Sequence, residues 1–222
     1  MPKSRRQKIF SLTQATRKTR SDKEQLISTV RQCADEYTSV FVFSVDNMRN
    51  QFMKEVRKEM SSSRFLFGSN KVLIKALGDS SASAYKENMH LLATRLVGDV
   101  GLMFTNESVE TVRNFFDNFR RPDYARAGNK VDQTVTVPAG VLMRGEDPFP
   151  GNMDAQLRSL GVPLTRDGGK LVIDREYTIC SDGDVLTPSQ SHLLKLFWVH
   201  AAEFHVRLLC YWKDNETHMF SE

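Results

Sequence analysis

The chain has 222 residues, 40% of them apolar and 26% charged, with 12 Gly and 7 Pro. This ordinary globular usage excludes collagen-like, coiled-coil and wholly disordered chains and leaves room for one large domain or two small ones. The formal net charge is +4, but residues 1–24 hold eight cations (Lys3, Arg5, Arg6, Lys8, Arg17, Lys18, Arg20, Lys23) against Asp22 and Glu24, so the remainder is slightly acidic.

A nearly neutral body with a basic arm is the charge distribution of a protein steered to a polyanion; a solvated leader or a nuclear import signal has the same charge. Cys33, Cys180 and Cys210 are far apart with no C-x-x-C pair, so neither a disulfide framework nor a zinc ribbon can be written, and a reducing compartment is expected. No apolar run approaches the roughly 20 residues of a membrane span, and MPKSRRQK is followed by no apolar stretch of signal-peptide length, so a soluble intracellular protein is expected.

From Asp22, read as an N-cap, the apolar positions Leu26, Ile27, Val30, Cys33, Ala34 and Tyr37 recur at helical spacing. VFVFSV at 40–45 is β-branched and aromatic without polar alternation, the pattern of a strand covered on both faces. A helix from about Asp46 to Met60 follows, then a short strand at Arg64 to Phe67, a helix from Asn70 to Leu77 ended by Gly78, and a longer helix from Ala84 to Leu96. VGLMF at 100–104 is strand-like, and Thr105 or Asn106 offers a cap for a helix with Val109, Val112, Phe115, Phe116 and Phe119 on its apolar side. Strands interleaved with helices predict an α/β sandwich around a central sheet.

Periodicity stops at RRPDYARAGNK, residues 120–130, where a domain crossing is expected. Beyond it come a strand at 133–137, the turn-rich GEDPFPG, a short helix from Met153 to Leu160 closed by Gly161, and a hairpin around Asp167-Gly168-Gly169, together a small α+β unit. Thr187 and Pro188 open a last helix, and Phe204, Val206, Leu208, Cys210 and Trp212 alternate along a terminal strand. A lone helix and strand could hardly fold alone. They are therefore assigned to the first domain: residues 1–122 and 186–222 form a discontinuous α/β sandwich, with 123–185 inserted as an α+β domain.

Catalytic and cofactor signatures are missing from the sequence. There is no phosphate-binding G-x-x-x-x-G-K-[ST] loop, so Asn129-Lys130-Val131-Asp132 is a chance match to the guanine-reading motif of small GTPases. The histidines form no metal-site spacing, and no G-x-S-x-G elbow appears. The expectation is no enzyme, no cofactor and no metal.

A basic face remains. On the second helix Met48, Phe52, Met53, Val56 and Met60 collect on one side, while Asn50, Lys54, Arg57 and Lys58 fall opposite and Arg49 sits at the apolar edge. Such a face is often merely solvated, with Glu55 and Lys58 as an ordinary i,i+3 pair. Arg64, Asn70, Lys71 and Lys75 follow closely, however, where Gly68 would let a phosphate approach and Asn70 opens a helix whose amides attract anions. This pattern specifies polyanion contact, not a base sequence.

The segments MPKSRRQK, SLTQATRK, VFVFSVDNMRNQFMKEVRKEM, SSSRFLFGSNKVLIKALG, VGLMFTN, DYARAGNKV, LRSLGVP and GDVLTPSQ, in that order, closely resemble the mRNA turnover protein 4 family. These are ribosome assembly factors paralogous to the stalk-base protein of the large ribosomal subunit, and the resemblance spans nearly all of residues 1–213. It implies an RNA-binding α/β domain with a second domain inserted after YARAG. It also implies a non-catalytic, mainly nuclear and nucleolar factor, with shuttling to the cytoplasm left open. Such a factor sits on the stalk-base region of large-subunit rRNA in precursor particles, among neighbouring ribosomal proteins. It competes there with the mature stalk-base protein and is exchanged with the help of a phosphatase-like release factor; no membrane is involved.

Family contacts to rRNA carry over to Lys3, Arg5, Arg6 and Lys8, to Asn47, Asn50, Lys54 and Arg57, and to Asn70 and Lys71, with Lys58, Arg64 and Lys75 added from the basic face. Ser69 stands where the family usually has lysine, which should lower the salt slope of binding by about one. The alternative is the stalk-base protein itself or a truncated form of it, which should carry a C-terminal Ala/Gly-rich hinge and an acidic tail.

Overall fold

The computed structural model describes residues 19–220. Helix α1 (Arg20–Glu36) starts at Thr19. The Thr19 hydroxyl accepts from the Asp22 N–H, and the Asp22 carboxylate accepts from the Thr19 N–H at 2.7 Å, a reciprocal capping box. Asp22 is thus the third helical residue and not the N-cap. Val30, Cys33 and Ala34 are its buried side.

Strand β1 (Ser39–Asp46) is buried from Ser39 to Phe43, as a run apolar on both faces requires. It extends to Asp46 by pairing with His205. Asn47 then takes φ +48, so α2 (Asn50–Glu59) begins four residues later than its periodicity suggests. After β2 (Arg64–Leu66) and α3 (Asn70–Leu77), the expected helix over Ala84–Leu96 shrinks to α4 (His90–Ala93). Its flanks are tight turns: Met89, Leu92 and Arg95 each donate to the carbonyl three residues back, and Asn88 has φ +58. Strand β3 (Val100–Thr105) leads to α5 (Val109–Asn118). Ser108 caps α5, accepting from the Thr111 N–H at 3.1 Å. Neither Thr105 nor Asn106 is free for that role: Thr105 Oγ1 accepts from the Glu107 N–H, and Asn106 Oδ1 from the Thr38 N–H.

Arg120–Asp123, expected to be irregular, forms strand β4. Among the described residues it pairs only with β12 (Ala202–Lys213), the long strand near the end of the chain, with Pro122 opposite Glu203, and an edge strand tolerates a residue that cannot donate. The chain then makes β5 (Val135–Val137), β6 (Gly140–Val141), and the tiny hairpin β7 (Met143–Arg144) and β8 (Asp147–Pro148) within the turn-rich GEDPFPG region. Next come α6 (Asp154–Ser159), the hairpin β9 (Thr165–Asp167) and β10 (Lys170–Ile173), and β11 (Tyr177–Cys180). Helix α7 (Pro188–Leu196) opens with a Thr187–Gln190 capping box. The terminal strand β12 (Ala202–Lys213) turns back as β13 (Glu216–Met219).

The main sheet has the order β13-β12-β1-β3-β2, with β4 on the outer edge of β12. One face carries Val40, Val42, Leu102 and Phe104 against α1, α3 and α4; the other carries Phe41, Phe43 and Met103 against α2 and α5. This is a three-layer sandwich. Burying each of these large side chains contributes about 1.5–3 kcal/mol before entropy is counted.

Strand β12 does not alternate from end to end. Val42 faces Cys210 and Phe43 faces Leu208, leaving Leu209 with no opposite residue on β1. This bulge turns Phe204 and Val206 toward α2 and α5 but Cys210 and Trp212 toward α1 and α3.

A separate core forms around Leu142, Phe149, Leu157, Leu171, Ile173 and Ile179. Leu193 and Leu194 of α7 are buried in that core, so the last helix packs with the inserted unit and only β12 and β13 return to the sheet. We therefore propose that the second unit extends from Ala125 through Ala201, beyond residue 185.

Candidate nucleic-acid interface

The loop Asn47–Arg49 is held from the segment 123–126, where the chain leaves β4 for the inserted unit. Asp123, only 9% exposed, accepts from Asn47 Nδ2 at 3.2 Å and pairs with Arg49. Arg49 Nη2 donates to the Tyr124 carbonyl at 3.1 Å, and Arg126 Nη2 to the Met48 carbonyl at 2.6 Å. These four contacts determine where α2 begins. They also occupy the Asn47 amide nitrogen, while its buried Oδ1 has no partner among the described residues; Asn47 thus anchors the loop through its nitrogen.

Beyond the clamp, α2 buries Met53 and Val56 and exposes Asn50, Lys54, Arg57 and Lys58. Glu55 pairs with Arg121 at 3.6 Å rather than with Lys58. Among the described residues none of Lys54, Arg57, Lys58 and Lys71 forms an ion pair. The Arg57 guanidinium lies 5.9 Å from the ring centre of Phe67, a cation–π contact that ties α2 to the loop before α3.

Between these elements runs a groove of about 410 Å³ lined by Val45, Met48, Phe67, Gly68, Ser69, Asn70, Gly98, Asp99 and Val100. Asn70 Nδ2 donates to the Gly98 carbonyl at 2.9 Å and holds the third wall in place. The two glycines differ in use. A Cβ on Gly68 would sit 2.6 Å from Leu26 and 3.3 Å from Leu73, so the close packing of α1 requires a glycine there. Gly98 has φ +78 and, among the described residues, nothing within 4 Å of its missing Cβ, and it leaves the groove open.

The remaining expected residues separate. Arg64 starts β2 on the side of Leu66, facing α1. Burial and then the Glu36 charge push the Cys33 thiol up, and the nearby Arg64 charge opposes them. Lys75 lines a different groove with Glu24, Arg31, Asp35 and Tyr85. Lys71 is exposed at the start of α3, next to Asn70. Lys3, Arg5, Arg6 and Lys8 lie outside the described residues. Gly98 and Asp99 had no local signal in the sequence: Gly98 meets Asn70 from 28 residues away, and Asp99 lines the same groove. Among the described residues no group of three or more His, Cys, Asp and Glu lies together as a metal site would, and no helix is long and apolar enough to cross a membrane.

The arrangement offers unpaired cations, two helix N-termini and a partly apolar groove to one ligand surface, which suits a folded polyanion with exposed bases. Comparison with known proteins agrees in family. Residues 18–121 match ribosomal protein L10, and residues 125–199 match the insertion domain of the 60S ribosomal protein of the same family. The chain is 39% identical to ribosome assembly factor mrt4 of Neurospora crassa, over 96% of this chain and 90% of that one. It is 38% identical to the Dictyostelium discoideum factor over 97% and 95%, and 34% identical to the Saccharomyces cerevisiae factor over 98% and 95%. Identity to the yeast large ribosomal subunit protein uL10 is 29%, over 80% of this chain and 55% of that protein. Full-length similarity at this level, on an α/β domain with its insertion, shows that the chain belongs to the mrt4 family of ribosome assembly factors, homologous to uL10.

Proposed function

We propose that this protein acts in assembly of the large ribosomal subunit by binding the stalk-base region of large-subunit rRNA in precursor particles, where it holds the place later taken by the uL10 stalk-base protein. The observation that carries this reading is the exposed α2 face, whose Lys54, Arg57 and Lys58 have no acidic partner among the described residues and whose Arg57 touches Phe67 in the lining of the groove that Asn70 also lines. Phosphates supply the missing counter-charge, and the amides at the starts of α2 and α3 position them. Lys3, Arg5, Arg6 and Lys8 add an electrostatic tether, and Arg64 and Lys75 contribute through the field. The role is occupancy of a site. On this reading exchange with uL10 is competitive and promoted by a phosphatase-like release factor, and the protein acts mainly in the nucleus and nucleolus; homology to uL10 supports the shared site.

The test is a titration of the full chain against a stalk-base rRNA fragment and a scrambled control across a salt series, with uL10 as competitor. The fragment should be preferred by more than about tenfold, or ~1.4 kcal/mol, and uL10 should displace the protein. Lys54→Glu with Arg57→Glu should lose that preference and flatten the salt slope by about 0.9 for each phosphate contact removed. A ternary complex on one RNA, or equal and steeply salt-dependent binding to both RNAs, would overturn the reading.

A further inference from the structure

We propose that the groove between the starts of α2 and α3 takes one unpaired guanine of the bound RNA, with the Asp99 carboxylate accepting from its N1–H and 2-amino group. This rests on the RNA-binding reading above and names the part of the RNA that the site selects.

Asp99 is the feature that phosphate binding does not explain. It is exposed, lines the groove, and has no hydrogen bond or ion pair among the described residues. A carboxylate beside a phosphate backbone is repulsive, so on a purely electrostatic surface it would weaken binding. The groove walls point the same way. Val45, Met48 and Phe67 offer no donors to a phosphate but suit a flat, splayed-out base, which single-stranded RNA presents to apolar and aromatic side chains. The volume of about 410 Å³ falls within the roughly 300–1,000 Å³ of small-ligand pockets. Gly98 leaves open space beside the carboxylate, and Asn70 fixes its backbone.

The choice of base follows from the donor pattern. Two carboxylate oxygens need two adjacent donors. On its pairing edge guanine places N1–H beside the 2-amino group. Adenine and cytosine each put one amino donor beside a ring-nitrogen acceptor, and uracil flanks its single N–H with two carbonyls. Only guanine avoids setting an acceptor against the carboxylate. Phosphates on either side of the extruded base would then reach Arg57, Lys71 and the helix amides.

Asp99→Asn separates this assignment from a bystander acid, because the two predict opposite signs. As a guanine reader, the variant should bind the stalk-base rRNA fragment about tenfold more weakly or worse, the discrimination expected of a bidentate base contact. As a bystander, it should bind equally or more tightly once a repelling charge is gone, and that result would overturn the proposal. Replacing guanines singly by 2-aminopurine, which lacks the N1–H, should reveal one position where wild-type binding falls by a similar factor and Asp99→Asn falls no further. Additive losses at every guanine would also overturn it. If Lys54→Glu with Arg57→Glu abolishes binding while Asp99→Asn does not weaken it, only the guanine assignment fails; if the double variant binds like wild type, the RNA-binding reading fails with it.

Discussion

In the inserted unit Arg158 and Arg166 converge on Asp154, at 2.5 and 2.9 Å, whereas on α2 of the sheet domain Lys54, Arg57 and Lys58 face solvent and form no ion pair among the described residues. The hydrogen bond from Arg158, set against the opposing effect of burial, and the charges of both arginines hold the Asp154 carboxyl below its ordinary range. Those guanidinium groups are committed within the unit, tying α6 to β9. The α2 cations have no ion-pair partner among the described residues, Arg57 touching only the ring of Phe67, and remain available to an external anion. Net charge alone could not make this distinction, since both regions carry Lys and Arg; the partner of each cation does. The residues between them, Arg49, Asp123 and Arg126, belong to a third kind: charged groups spent on joining one region to the other.

The comparison breaks most sharply in the cores. Leu157→Ala, at a position fully buried in the inserted unit, should cost about 2–5 kcal/mol of that unit's stability in denaturant unfolding, yet leave affinity for the rRNA fragment within about twofold. A parallel loss of RNA binding would show that the inserted unit is not separable from the interface. Asp123→Asn tests the joint. Arg49 is partly exposed, so leaving it unpaired should cost roughly 2–3 kcal/mol, below the 3–5 of a fully buried broken pair. Unlike Leu157→Ala, this change should also weaken RNA binding, because the start of α2 is released.

The smallest effect compares the cysteines. Burial pushes the Cys210 thiol of the sheet to about 12, against an ordinary value of 9.0, with a small opposing pull from Arg95, and raises that of Cys180 in the inserted unit as well. A thiol raised on folding contributes its full stability below the unfolded value. That contribution is lost as pH rises from about 9 to about 12, where only the unfolded chain ionises readily. The denaturation midpoint should therefore fall on the alkaline side, and Cys210→Ala should flatten that limb more than Cys180→Ala does.

Much of the sheet domain was legible because its signals are local. VFVFSV could only be a doubly covered strand, the α2 pattern separated Met53 and Val56 from Lys54 and Lys58, and Gly78 ended α3. The site was legible by half. The α2 face could be read from helical spacing, and Asn70 and Lys71 lie close behind it in sequence. The anchoring of Asn47 is not legible because its partner Asp123 is 76 residues away, nor is the packing of Gly68, because the side chain nearest it, Leu26, belongs to a helix with no sequence proximity to the loop. The helix over Ala84–Leu96 failed for the opposite reason: its apolar spacing is helical, but the backbone turns at Asn88.

What the sequence determined by itself is what a few neighbouring residues encode: the Thr187–Gln190 box, the Asp167-Gly168-Gly169 hairpin turn, the apolar and polar faces of α2 though not its start, and the concentration of charge in the first 24 residues. The tertiary structure decided which face each half of β12 presents, that α7 packs with the inserted unit, that β4 is a strand, and that Met48, Phe67, Asn70 and Asp99 share one groove. The division has a physical cause. Caps and turns are satisfied within a few residues, so local composition encodes them. A bulge, an edge pairing or a groove depends on which distant segment supplies the opposite hydrogen bond or wall, and no periodicity along the chain records that.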